Sequence, residues 1–96
     1  MVIVNISIHD LLNKENINII DIRSIEKYND NHIDNAIHIP MLLLLKNPEK
    51  YLNKDEDYYI YCQYGKSSYR VCLALIRQGY KVYNILGGYE AWLLNK

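Results

Sequence analysis

Phenylalanine is absent from this chain, tryptophan occurs once and cysteine only twice. Two cysteines, Cys62 and Cys72, are too few for the disulfide framework of a small secreted scaffold, and they fit a reducing, cytoplasmic setting. No Cys-x-x-Cys pair exists, and His9, His32 and His38 lack zinc-ligand spacing, so neither a metal nor another cofactor is expected. Net charge is missing as well: eleven Lys+Arg balance eleven Asp+Glu. That balance removes the attraction on which nucleic-acid binders and binders of acidic membranes depend. Apolar runs such as Met41–Leu45 fall far short of the ~18 residues that suggest a membrane span. The opening stretch Met1-Val2-Ile3-Val4-Asn5 has no basic n-region of a signal peptide. Nucleic-acid, membrane and secreted-scaffold functions are therefore all disfavoured. What stands in place of phenylalanine is tyrosine, ten of them, in a chain also rich in Ile, Asn and Lys. These residues share AT-rich codons, so the bias reads as genomic, and the tyrosines as core and surface filler.

A length of 96 residues fits one domain, residues 1–96, since a domain takes about 100–200 residues. Half the residues are hydrophobic, enough for a core without metal or disulfide staples. Ile17–Asp21, Tyr58–Tyr61 and Lys81–Ile85 read as strands, with Ala36–Ile39 a fourth that Pro40 closes. Their lack of clean alternation predicts a parallel sheet covered on both faces. Between them, Ser7 caps a helix over Ile8–Lys14 with Leu11 and Leu12 inward, and Ser24 caps one over Ile25–Asn29. Asn47-Pro48 opens a short helix to Leu52. Ser67 or Ser68 begins the longest helix, which Gly79 ends; Val71, Cys72, Leu75 and Ile76 form its apolar face. A last helix follows Gly87-Gly88 and carries Ala91, Trp92 and Leu93. Alternating strand and helix, with no linker or repeat, means a single α/β unit.

Chemistry concentrates in Tyr61-Cys62-Gln63-Tyr64-Gly65-Lys66-Ser67-Ser68. A cysteine stands at the carboxyl end of a buried strand, where open α/β sheets bind ligands. The following loop and helix N-terminus offer converging N–H groups and partial positive charge, both of which favour thiolate over thiol. Gly65 permits a sharp turn and close approach. Ser67 and Ser68 can accept from the open N–H groups of the helix or donate to an anion, and Lys66 adds a cation. A lone free cysteine is more often a small buried hydrophobe; the strand–Cys–Gly–Ser–Ser–helix context reverses that expectation.

These residues resemble the rhodanese family. Cys62-x-x-Gly65-x-Ser67-Ser68 is similar to the active-site loop of single-domain thiosulfate sulfurtransferases. Asp21-Ile22-Arg23 with Glu26, Tyr28, His32-Ile33, Ala36 and Ile39-Pro40 is similar to the family's upstream signature, and Gly79-Tyr80 and Gly87-Gly88-Tyr89-x-Ala91-Trp92 to its closing motif. The resemblance implies a three-layer rhodanese-like fold, a short central parallel sheet with helices on both faces. It also implies sulfane-sulfur transfer, from a donor such as thiosulfate to a thiol, cyanide or a sulfur-relay protein. Cys62 would carry the sulfur as a persulfide, and Gln63, Tyr64, Gly65, Lys66, Ser67 and Ser68 would bind the substrate. Two departures stand out. Ser67 occupies a position where many members carry Arg, which bears on substrate preference. Asn31 and Asn35 stand where Gly is usual, tolerable because Asn enters left-handed turns.

Two other classes compete. A cysteine phosphatase or arsenate reductase needs Arg six places after its cysteine to grip the oxyanion, but Ser68 stands there and Arg70 comes later. A catalytically silent binding module would have no use for Cys62 and Gly65. Asp21 and Arg23 read as a polar network tying loops together, ahead of a role in the active-site wall. His32 reads as a structural hydrogen-bonding residue, Trp92 as a core anchor, Met41–Leu45 as a buried turn of helix, and Cys72 as a helix residue facing the sheet.

Overall fold

The structure, a computed structural model, describes residues 3–96. Successive residues of the central strands serve opposite layers, which is why their sequence shows no polar alternation. In β2 (Asn18–Asp21), Ile20 joins one apolar cluster and Ile19 the other. In β4 (Asp57–Tyr61), Tyr58 and Ile60 face the first layer while Tyr59 and Tyr61 face the second. With β1 (Asn5–Ile6), β3 (Ile37–His38) and β5 (Lys81–Ile85) they form one all-parallel sheet of order β1-β5-β4-β2-β3. All carboxyl ends therefore lie along one edge, with Asp21 level with Tyr61 and Ile60 level with Asn84.

Helices cover both faces. α3 (Met41–Lys46), α4 (Pro48–Tyr51) and α5 (Lys66–Arg77) flank the first cluster, where Val71, Cys72 and Leu75 pack on Ile20, Ile60 and Val82. Burying one such aliphatic side chain stabilises the fold by roughly 1.5–3 kcal/mol. On the other face α1 (Ile8–Leu12) and α6 (Gly88–Leu94) contribute Ile8, Leu11, Tyr89 and Trp92, while α2 (Ile25–Asp30) lies more peripherally. The expected three-layer α/β fold with a short parallel sheet is what is observed.

Several local expectations need correction. Leu12 does not face inward; it is 54% exposed, because α1 stops at Leu12 and its core-facing side carries Ile8 and Leu11. Met41–Leu45 is helical but not buried as a unit: Leu44 is enclosed, whereas Leu42 and Leu43 are exposed. Asn35 takes the left-handed conformation at φ 69°, whereas Asn31 is extended at φ −169° and needs no glycine-like freedom. Strand β1 was not foreseen. The Ser7 and Ser24 caps are as expected, each accepting an N–H bond, from Asp10 and Lys27. Trp92 is a buried anchor. Among the described residues no helix is long and apolar enough to cross a membrane.

Candidate active site

Cys62 immediately follows β4, and its backbone is held from the far side of the loop. The first amides of α6 donate to it: Tyr89 N–H to the Cys62 carbonyl (3.0 Å) and Glu90 N–H to the Gln63 carbonyl (3.1 Å). With those carbonyls turned toward α6, the loop's N–H groups turn toward the sulfur. Gly65 N–H donates to Cys62 Sγ at 3.1 Å, Ser68 N–H at 3.3 Å, and Ser68 Oγ lies 3.2 Å away.

This arrangement corrects the expected start of the long helix. Neither Ser67 nor Ser68 is its N-cap; α5 begins at Lys66 with Gly65 as N-cap, at φ 90°. A glycine has no side chain to receive the N–H of the third helical residue, the usual task of an N-cap. The sulfur of Cys62 does that task instead, accepting from Ser68 N–H. The thiol thus occupies the place of a capping oxygen, at the positive end of a 12-residue helix.

Glycines make the approach possible. A Cβ on Gly88 would stand 2.3 Å from the Cys62 carbonyl oxygen, and one on Gly65 would stand 2.9 Å from Gly87 N. The two loops after β4 and β5 pack backbone on backbone, and only residues without side chains fit between them.

Electrostatically the sulfur is favoured as an anion. Burial raises the Cys62 pKa, but hydrogen bonds from the Ser68 hydroxyl and from the N–H groups of Ser68, Gly65 and Tyr64 outweigh it, so the net pKa lies below that of an ordinary thiol. Cys62 is 9% exposed and opens into a pocket of about 470 Å³ lined by Ile22, Arg23, Lys27, Met41, Lys66 and Ser67, among others.

The loop residues divide by role. Gly65 and Ser68 touch the sulfur; Ser68 is fully buried. Lys66 and Ser67 are exposed on the pocket wall, and Tyr64, 66% exposed, stands at its rim. Gln63 also lines the pocket, its side chain accepting from Arg23 Nη1 (3.2 Å) and donating to Glu90 Oε2.

Asp21 and Arg23 form the network expected of them, and it reaches the pocket. The fully buried Asp21 carboxylate accepts from Arg23 N–H, Nε and Nη2 and from Tyr61 Oη (2.6 Å). Arg23 also donates to the Asn31 carbonyl and lies 4.0 Å over the Tyr89 ring. Burial lowers the Arg23 pKa, yet the hydrogen bond and charge of Asp21 outweigh it, and the guanidinium is held as a cation. His32 stacks on Tyr28 and donates from Nδ1 to the Tyr28 carbonyl (2.8 Å), a structural role. Three participants were not foreseen: Lys27 and Met41 on the pocket wall, and Asn84, buried behind Ser68. Lys27 carried a signal, one turn into the helix that Ser24 caps beside the strand end.

A short parallel sheet whose fourth strand delivers a cysteine into a glycine-propped loop is a rhodanese architecture. Residues 6–95 match the Rhodanese-like domain family, and the chain belongs to that family. Among its relatives, the protein named thiosulfate sulfurtransferase GlpE of Coxiella burnetii is 39% identical over 84 residues, spanning 86% of this chain and 78% of that protein. The putative sulfurtransferase YtwF of Bacillus subtilis is 39% identical over 78 residues, covering 81% and 75% of the two chains. A rhodanese-like domain protein of Staphylococcus aureus superposes with a TM-score of 0.81 at 32% identity, covering 94% of this chain and 91% of its own.

Proposed function

We propose that this protein is a sulfurtransferase in which Cys62 carries sulfane sulfur as a persulfide between a small anionic donor, such as thiosulfate, and a thiol or cyanide acceptor. The observation that carries the reading is the convergence of two N–H groups and a hydroxyl on Cys62 Sγ at the floor of an open pocket. The Cys62 thiolate attacks the outer sulfur of thiosulfate; the S–S bond of the donor breaks, and sulfite leaves with the electron pair. An acceptor thiolate or cyanide then attacks the outer sulfur of the persulfide, and Cys62 departs as thiolate. This is two-step covalent catalysis, with ping-pong kinetics as its signature. The N–H groups of the loop lower the energy of the thiolate at both ends of the cycle, in the manner of an oxyanion hole. Lys27 and Lys66, with Arg23 behind them, give the wall a cationic bias suited to an anionic donor. An acceptor thiol on a sulfur-relay protein fits the same open mouth.

Phosphatase chemistry finds no support. The position it needs for arginine holds the buried Ser68, while Arg70 lines an adjoining groove with Tyr69, Leu73 and Leu86 and not the pocket of Cys62. The test is intact-mass measurement after incubation with thiosulfate. Gain of one sulfur atom at Cys62, removed by cyanide, supports the reading; an unchanged mass with folded protein overturns it.

A further inference from the structure

Behind the Cys62 loop lies a buried polar side chain that the proposed reaction does not yet use. Asn84, on β5, is 2% exposed and shares the layer of Ser68 and Cys62. Its amide orientation is chemically determined. Nδ2 donates to the Gly65 carbonyl (3.1 Å), a group that can only accept, and to Asn5 Oδ1 (3.0 Å). The amide oxygen is thereby aimed at Ser68 Oγ, 2.5 Å away. Two oxygens that close require a proton between them, and an amide oxygen has none to give. The proton is the hydroxyl's.

Ser68 Oγ also stands 3.2 Å from Cys62 Sγ, and a hydroxyl has one proton for two acceptors. When the sulfur is protonated, S–H can donate to Ser68 Oγ while Ser68 donates to Asn84. When the sulfur is a thiolate, the hydroxyl must turn to it, leaving the Asn84 carbonyl buried without a donor, which is costly. We propose that Asn84 is a positioning residue that holds the Ser68 proton while the sulfur of Cys62 is neutral and yields it when the sulfur is anionic. Ser68 and Asn84 thus form a two-position hydrogen-bond switch.

The switch follows the reaction, and this part rests on the sulfurtransferase reading. As the thiol loses its proton to solvent at the mouth, the Ser68 O–H···O bond to Asn84 breaks and an O–H···S⁻ bond forms. When the thiolate attacks the donor, Sγ becomes the neutral inner sulfur of a persulfide, a poor acceptor, and the hydroxyl returns to Asn84. The loaded state is thereby favoured over the free thiolate. The titratable groups around Cys62 are Arg23 after β2, Lys27 on α2, Tyr64 in the loop, Lys66 and the Cys72 thiol on α5, and Glu90 on α6 engaged by Gln63. Of the groups near the sulfur, the Ser68 hydroxyl is the one shared between Cys62 Sγ and Asn84 Oδ1.

The test is the pH dependence of Cys62 alkylation by iodoacetamide, followed by peptide mass in wild type, Asn84→Ala, Ser68→Ala and the double variant. It requires no sulfur transfer, so its failure is separate from that of the proposed reaction. Freed from competition, the Ser68 proton should serve the thiolate alone. Asn84→Ala should lower the alkylation midpoint, giving roughly two- to tenfold more thiolate below it, the range of one neutral hydrogen bond. Ser68→Ala should raise the midpoint, and adding Asn84→Ala to it should produce no downward shift. Asn84→Ser, whose own hydroxyl can donate to Ser68, should shift it down as well and decides the matter if the alanine variant does not fold. A midpoint unchanged or raised in folded Asn84 variants, or the same fall without Ser68, overturns the proposal.

Discussion

Cys62 and Cys72 belong to the same apolar cluster, ten residues apart in sequence, yet their surroundings act on them in opposite senses. Cys72 lies on the sheet-facing side of α5, fully buried among Val71 and Leu75. Burial, and secondarily the charge of Cys62, pushes its thiol up to about 12. Cys62 pays a desolvation cost too, but the donors gathered on its sulfur more than offset it. Burial alone does not silence a thiol; what decides is whether the same burial brings donors with it.

The sharpest way to break this contrast is to exchange the sulfur. Cys62→Ser should reduce thiosulfate-to-cyanide transfer to below a few per cent while the protein stays folded, because a hydroxyl cannot carry sulfane sulfur. Cys72→Ala should leave the same rate within about twofold, since a side chain facing the sheet does not converge on Cys62 as a disulfide requires. Residual turnover in the first variant, or a large loss in the second, inverts the comparison.

Next in size is the removal of the prop. Gly88→Ala places a methyl group against the Cys62 carbonyl at a residue with φ 57°. Strain of about 1–3 kcal/mol at such a site should push the loop away from α6. A loss of turnover larger than the loss of thermal stability implies, with Cys62 alkylation slowed, is the expected result; unchanged alkylation would mean the loop does not lean on Gly88.

A smaller effect separates the two thiols through pH. Cys62 has a folded pKa below its unfolded value of about 8.5. Between those values the unfolded chain binds more protons, so Cys62 adds stability as pH rises. Cys72 is raised to about 12, so from the unfolded value up to there the folded chain keeps the proton and stability falls with pH. Denaturant titrations across this range should show the alkaline decline softened in Cys72→Ala and the rise below it flattened in Cys62→Ala.

The smallest expected change is at the rim. Lys66 is exposed on the pocket wall. Lys66→Ala should raise KM for thiosulfate by about two- to fivefold at low salt, with the rate of sulfur release nearly unchanged, as befits a solvated charge. An unchanged KM would assign the pocket's pull on anions to the backbone, Lys27 and Arg23.

Legibility followed the range of the interactions. Ser7 and Ser24 were readable as caps because their partners lie three residues on. The start of α5 lies at Lys66, ahead of the expected Ser67 or Ser68, because its cap is a sulfur that precedes the N-cap glycine. Strand β1 was not readable, since two residues on an edge, Asn5 and Ile6, carry no periodicity. Asn84 was hidden most thoroughly. Its partners are 16, 19 and 79 residues away, and in sequence it looks like one more asparagine in a chain full of them. The central strands and the cysteine loop were readable because burial on two faces and a glycine-punctuated turn are local facts.

The propping of the Cys62 loop by Tyr89 and Glu90 has a consequence for biosynthesis. Those amides lie 27 residues beyond the carbonyls they hold, and Asn84 and β5 also follow the cysteine along the chain. While the polypeptide is still emerging, Cys62 is an ordinary thiol with a pKa of about 8.5, largely protonated and slow to react. The carbonyls of the loop gain these props only when the last helix docks, so a chain lacking α6 should hold Cys62 closer to an ordinary thiol than the complete fold does.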